Sequence, residues 1–498
     1  MITKYTILIL YFLVLFLIGL YSSKKIKDIE DYYVGGKKLG FWVVAMSTRA
    51  TGESAWLLLG LTGLGAMVGV SGLWVMAGEV FGVTIAWLLM AKPFKRLSDQ
   101  YESITIPDYL VSHFKAKSHL LRIIASTALS VFIVIYVSAQ IDATGSAFEA
   151  FLNWNYYTGA LVGFAIVVLY IFFGGFVAVA WSDLFQGMLM FFGLVALPIV
   201  AYFFLDKGPS LTEGLTAIDP SLLSVWGEGG FTMMNLATIL GYFFIGLGFL
   251  GSPQIFVRFM SIKDEAEINK GRWVAILFTL LADTAAILIG MMGRYIFTDA
   301  GVDPEAVLGN SAQNVLITLV EHTMPLVIIG LYVAIVLSAI MSTVDSLLVV
   351  ASSAVIRDFY QQIFNPDLKV ESLTKISRIV TVIMAFMALA LAMTVAITTP
   401  DRTIFWFVIF GWSGIAATFC PVMILSLTWP ACTEKGAIAS MVVGFLGVPF
   451  FKFMPPYLGE IGPFLTEIAE LGPAFLVALL AGFVVSKLWP EEENLSVE

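Results

Sequence analysis

Ionisable residues and clustered hydroxyls lie inside stretches of this sequence that are otherwise apolar. Arg49 and Glu53 stand four apart in Ser47-Thr-Arg49-Ala-Thr-Gly52-Glu53-Ser54-Ala-Trp56, and far downstream Ser342-Thr343-Val-Asp345-Ser346 interrupts a second such stretch. At the centre of a membrane helix each charge costs roughly 2.5 to 3.5 kcal/mol on insertion scales, so such groups pair with one another or handle ions and polar solutes. On a helix, residues three and four apart are neighbours, which puts Ser342, Asp345 and Ser346 on one face with Thr343 beside Ser346. Carboxylate, hydroxyl and carbonyl oxygens suit a hard cation, and the segment offers no soft ligand. A small alkali cation is the expected occupant. The competing reading, in which Ser and Thr bond back to carbonyls one turn earlier, accounts for the hydroxyls but not for Asp345.

Asp183, in Trp181-Ser182-Asp183-Leu-Phe-Gln186, opens another apolar segment. It either caps that helix or meets Asp345, in which case a cation or proton must sit between the two carboxylates and a second ion site arises. Arg49 and Glu53 either form an ion pair across one turn, or are divided between a substrate carboxylate on Arg49 and a coupling proton on Glu53. Tyr136, Gln140 and Asp142 are polar groups in a further span, and Gln254 and Arg258 in yet another. Arg258, close to the basic end of its segment, reads as a snorkelling side chain.

The elements that position these residues are membrane helices. Of 498 residues 59% are hydrophobic and 13% charged, the composition of an all-α polytopic membrane protein. At about 20 apolar residues per crossing, the hydropathy pattern gives about thirteen spans in a single domain covering residues 1–498. The first, residues 5–22, has no basic stretch before it and no small-residue cleavage site after it, so it is expected to be retained. Lys24, Lys25, Lys27, Lys37 and Lys38, then Lys92, Lys95, Arg96, Lys115 and Lys117, then Lys263, Lys270 and Arg272 fall in loops on one side. The positive-inside rule makes that side cytoplasmic, with the N-terminus outside and the acidic tail Glu491-Glu492-Glu493 inside. The net charge of −9 reads as solvated loops and tail. Cys420 and Cys432 read as buried small hydrophobes, His113, His119 and His322 have no ligand spacing, and no haem, zinc, nucleotide or nucleic-acid signature is present.

Two spans are interrupted, one at Thr51-Gly52 and one at Gly246-x-Gly248-x-x-Gly251-Ser252-Pro253. Proline removes a donor and glycine admits non-helical backbone; such spacing also permits close helix contact without further role. Irregular backbone at membrane depth is tolerated where it lines a protein or water-filled site, and paired interruptions at corresponding places in two halves mark an inverted-repeat transporter. The first repeat is expected over 40–206, its inverted copy over 232–428, and two further helices over 435–488. The chain therefore reads as an ion-coupled transporter. A solute-gated channel or sensor is the alternative from a different class, and an enzyme is disfavoured because no nucleophile–base spacing appears.

The motifs Asp31-Tyr-Tyr-Val-Gly-Gly-Lys-Lys-Leu-Gly40, Ser54-Ala-Trp56-Leu-Leu-Leu-Gly60, Ile106-Pro107-Asp108-Tyr109, Leu121-Arg-Ile-Ile124, Gly174-Gly-Phe-x-Ala-Val-Ala-Trp-Ser-Asp183, Gly251-Ser-Pro-Gln-Ile-Phe-Val-Arg-Phe-Met260 and Ala339-Ile-Met-Ser-Thr343 resemble the sodium/solute symporter family, and within it most closely the bacterial sodium/proline symporters. The resemblance implies a LeuT-like five-plus-five inverted-repeat core and solute uptake driven by inward Na+ flow in the plasma membrane. It implies a sodium site of the Ala50, Glu53 and Ala339 carbonyls with the Ser342 and Thr343 hydroxyls, and in some relatives a second at Asp183, Asp345 and Ser346. Ser54, Trp56, Tyr136, Gln140, Ile245 and Phe249 are the expected substrate contacts. The proline pattern has aspartate at Gly52, tryptophan at Ile245 and tyrosine at Phe249. Ser54, Trp56 and Tyr136 match that pattern, so the resemblance implies proline as the leading solute, with another small amino or carboxylic acid as the alternative.

Overall fold

In the computed structural model, residues 2–23, 29–173, 175–204, 208–365 and 370–490 are described. Lys24, Lys25 and Lys27 of the first basic loop, Gly174 of the motif and the tail Glu491-Glu492-Glu493 lie outside them. The apolar stretches form helices α1 (Ile2–Ser23), α2 (Phe41–Ala55), α3 (Thr62–Val68), α4 (Leu73–Ile85), α5 (Leu120–Leu152), α6 (Tyr156–Phe173), α7 (Phe176–Phe203), α8 (Met233–Phe244) and α9 (Pro253–Ser261). They continue as α10 (Glu265–Phe297), α11 (Leu326–Ser353), α12 (Val370–Thr398), α13 (Ile404–Thr428), α14 (Glu434–Phe453) and α15 (Leu471–Leu488).

Among the described residues, 11 segments are long and apolar enough to cross a membrane. One of them, Phe41–Gln100, has 60 residues, about 90 Å of helix at 1.5 Å per residue, far more than one crossing needs. It folds back on itself. Gly271 of α10 faces both Phe41 and Trp87, and Ile287, further along α10, faces both Gly65 and Gly72. The outward and returning legs therefore pass the same helix, and the reversal lies at Gly69, whose φ of +60° suits glycine. The expected count of about thirteen spans requires these two passes and the shorter apolar helix Tyr156–Leu169.

Both interrupted spans are broken, but one break is displaced. The expected break at Thr51-Gly52 lies instead at Ser54, with φ 48° and ψ −166°, after which the chain resumes as a wide helical turn, Trp56–Leu61. The second break is where the sequence places it: α8 ends at Phe244, a tight turn runs from Ile245 to Leu250, and α9 restarts at Pro253. Proline at the first helical position loses nothing, because its missing N–H would be unpaired there anyway. Gly246 packs directly on the backbone of Gly78 in α4, an approach that any side chain would prevent.

The basic loops meet at one end of the molecule. Lys37 pairs with Asp99 at 3.1 Å, Arg96 with Glu265 at 3.1 Å, and Lys95 donates to the Met260 carbonyl at 3.0 Å. Leu39 exchanges backbone hydrogen bonds with Ser261 (3.1 Å) and Lys263 (2.9 Å), tying the start of α2 to the end of α9. The two broken spans are thus fastened together at that end.

Candidate functional site

Ser342 and Thr343 face α2 just before its break. Ser342 Oγ donates to the Ala50 carbonyl at 3.0 Å and Thr343 Oγ1 to the Thr51 carbonyl at 3.1 Å, while both reach the Ala339 carbonyl, at 3.2 and 3.1 Å. The back-bonding reading and the inter-helix reading therefore both describe these hydroxyls. Ala50, Ala339, Ser342 and Thr343 come together as expected. The Glu53 carbonyl accepts from Trp56 N, and the further α2 carbonyl beside the pair is that of Thr51, which the sequence reading did not name. All of these groups are buried.

Asp183, Asp345 and Ser346 also converge, around a residue the sequence reading misplaced. Arg258 does not snorkel: it is fully buried. Restarting the helix at Pro253 sets it more than one turn inside α9, against the core. Its Nη2 lies 2.9 Å from Asp183 Oδ2, its Nε donates to Ser47 Oγ at 2.7 Å, and it also donates to Ser346 Oγ and the Gln254 carbonyl. Ser47 Oγ donates to Asp183 at 2.6 Å, Thr51 Oγ1 lies 2.9 Å from Ser346 Oγ, and Ser346 Oγ lies 3.3 Å from Asp345 Oδ1. The helix-cap reading of Asp183 fails, because α7 begins at Phe176 with Gly175 before it. The charge that answers Asp183 is a guanidinium.

The expected solute contacts gather at the two breaks. Gln140 Oε1 accepts from Ala55 N at 3.1 Å, Gln140 Nε2 and Tyr136 OH each reach Ser54 Oγ at 3.4 Å, and Trp56 Nε1 donates to the Gly52 carbonyl at 3.2 Å. Phe249 lies against Gly52 and against Trp412, with ring centroids 5.0 Å apart in the latter pair. Trp412 donates from Nε1 to the Ile245 carbonyl at 3.0 Å and meets Tyr136 edge-on. Trp412 was missed; a lone tryptophan in an apolar span carries no sequence signal that separates lining from packing. A cavity of about 140 Å³, lined by residues including Gly60, Gln313, Phe405 and Trp406, adjoins this cluster through Phe405, which packs edge-on against Trp56. Towards the end carrying the basic loops, the cavity between Tyr33, Ile104, Pro253 and Val349 holds only about 10 Å³.

Arg49 and Glu53 form the ion pair that is one of their expected roles. Arg49 also lies 3.1 Å from Glu79 of α4, and its guanidinium sits 4.6 Å from the centre of the Phe249 ring. Glu79 was not singled out, although an acid within an apolar helix is itself the signal that flags Glu53. Cys420 and Cys432 are buried thiols, and Asp142 pairs with Arg402.

The chain is 33% identical to the high-affinity proline transporter PutP of Bacillus subtilis (strain 168), over 95% of each sequence. It is 32% identical to the sodium/proline symporter of Escherichia coli (strain K12), over 96% of this chain and 91% of that one. The fold is similar to that of a Na+-coupled sialic acid symporter in a substrate-bound, outward-open state, with a TM-score of 0.76 over 98% of both chains at 17% identity. The family model "Sodium:solute symporter family" matches residues 32–444. This multi-pass membrane protein belongs to the sodium:solute symporter family.

Proposed function

We propose that the chain couples inward Na+ flow to uptake of a small solute, proline first among the candidates, by alternating access. The observation that carries this reading is the reach of Ser342 and Thr343 from α11 to the Ala50 and Thr51 carbonyls at the broken end of α2. Sodium held by these hydroxyls and carbonyls would join the two repeats where the solute contacts of Ser54 and Trp56 begin. Ion and solute would then each raise the other's affinity by the same factor. Each charge moving inward contributes about 2.3 kcal/mol per 100 mV of membrane potential.

The solute is read from the relatives, which are named as proline transporters, and from Ser54, Trp56 and Tyr136, which keep the proline pattern. Gly52, Ile245 and Phe249 depart from it, so another small amino or carboxylic acid is the second candidate. We place the protein in the plasma membrane, with the N-terminus outside and the C-terminus in the cytoplasm, on the positive-inside rule. The test is uptake of labelled proline into proteoliposomes under an inward sodium gradient, against an equal potassium gradient. Sodium-driven accumulation above equilibrium supports the reading; equilibration without accumulation would make the protein a channel. Sodium-dependent thermal stabilisation without proline movement would retain the ion site and exclude proline.

A further inference from the structure

Apart from the sites above, Glu53 of α2, Glu79 of α4 and Asp283 of α10 bring carboxylate oxygens within 4.8 Å of one another. All three side chains are buried. Among the described residues one cationic side chain accompanies them, Arg49, paired with Glu53 and with Glu79. Three carboxylates and one guanidinium carry formal charges of −3 and +1, which leaves −2 among buried side chains. Burying an uncompensated charge costs several kcal/mol, so this arrangement calls for further positive charge.

Asp283 is the sharpest element. Its exposure is 0%, and among the described residues neither of its oxygens accepts a hydrogen bond; nor do Glu53 Oε2 and Glu79 Oε1. Three helices thus direct four buried, unsatisfied carboxylate oxygens to one place. Hard cations take such ligands. Calcium–oxygen bonds of 2.3–2.6 Å place ligands on opposite sides of the ion about 4.6 to 5.2 Å apart, and the observed separations fall within that reach.

We propose that Glu53, Glu79 and Asp283 form a further cation site for a hard, oxygen-liganded ion, sodium or calcium, on a different face of α2 from Ser342 and Thr343. The site touches the solute pocket through Arg49, whose guanidinium lies over Phe249. An ion bound there draws α2, α4 and α10 together and fixes the position of Arg49. Binding at this site stands independently of which solute is carried; only its coupling to uptake rests on the symporter reading.

The experiment uses the purified full-length chain in detergent, with the thermal midpoint titrated with sodium chloride or calcium chloride and choline chloride as the ionic-strength control. A Ser342→Ala, Thr343→Ala background removes the hydroxyl site, so saturable stabilisation there that the carboxamide variants weaken reports the carboxylate site. Asp283→Asn and Glu79→Gln in that background should each raise the half-saturating concentration by at least about tenfold. The salt that stabilises identifies the ion. If Asp283→Asn does not fold, Glu79→Gln carries the comparison. The proposal is overturned if neither salt stabilises the background, as expected if the carboxyls hold protons, or if the carboxamide variants keep the same half-saturation. Failure of the symporter reading would show separately, as wild-type liposomes that accumulate no solute.

Discussion

The ring of Phe249 occupies the space that a side chain at Gly52 would need: a Cβ built on Gly52 would lie 2.7 Å from Phe249 Cε1. Phe249 has little room to yield, since Trp412 packs on it with centroids 5.0 Å apart and the Arg49 guanidinium lies 4.6 Å from its centre. Gly52 and Phe249 are therefore in direct contact, and a side chain added at one position acts through the ring at the other. Overpacking of this kind typically costs 1–3 kcal/mol. Gly52→Ala should lower the initial rate of solute uptake by about tenfold or more, and Phe249→Leu in the same chain should recover part of it. Uptake kinetics of the two single variants and the double variant test the pair; strictly additive losses would sink the coupling.

At the hydroxyl site, Ser342→Ala or Thr343→Ala removes one of the two side chains that reach α2. Each single change should raise the half-saturating sodium concentration for uptake, and the double change should abolish sodium stimulation while the protein still elutes as a folded species. Uptake against sodium concentration at fixed solute is the measurement. Unchanged sodium dependence in the double variant would remove Ser342 and Thr343 from the ion site.

Arg258 holds Asp183, Ser47 and Ser346 together, so Arg258→Met leaves a buried carboxylate unpaired. Breaking such a pair from one side typically costs 3–5 kcal/mol, whereas replacing both partners by apolar or neutral groups is much milder. The thermal midpoint in detergent should fall sharply for Arg258→Met and recover in Arg258→Met with Asp183→Asn. A double variant that recovers nothing would mean that an unpaired Asp183 is not the source of the loss. A sodium ion at Asp183, Asp345 and Ser346 would have to displace this guanidinium. Arg258→Lys, with a compact charge in place of a planar fork, should therefore alter sodium affinity more than Ser47→Ala does.

Much of this site was legible because membrane depth makes polarity conspicuous. Ser342, Thr343 and Asp345 stand out in an apolar helix, and the glycines and Pro253 mark the second break to within a residue. The first break was misplaced for a physical reason: Gly52 suggested flexible backbone, yet its glycine serves the close approach of Phe249, while Ser54 takes the non-helical conformation. Arg258 was misjudged because its distance along the chain from a basic loop says nothing of where a restarted helix points it. Glu79 and Asp283 carry the same signal as Glu53, an acid among apolar residues, but only the fold brings the three helices together. Trp412 has no such mark.

His113 gives a pH test outside the spans. It ends a short helix, Ile106–His113, packed among Tyr101, Tyr109 and Phe114, and burial pushes its pKa down to about 4 from 6.5. Burial disfavours the charged form, so the folded state binds its proton later than the unfolded state does. The unfolded chain holds more protons between pH 6.5 and 4. The contribution of His113 to stability is therefore complete above about pH 6.5 and falls as the pH drops towards 4, with a slope of at most about 1.4 kcal/mol per pH unit. His113→Gln should flatten this part of the thermal-midpoint profile relative to the wild type while leaving the profile above pH 7 parallel. Superimposable profiles between pH 4 and 6.5 would show that the imidazole titrates alike in both states.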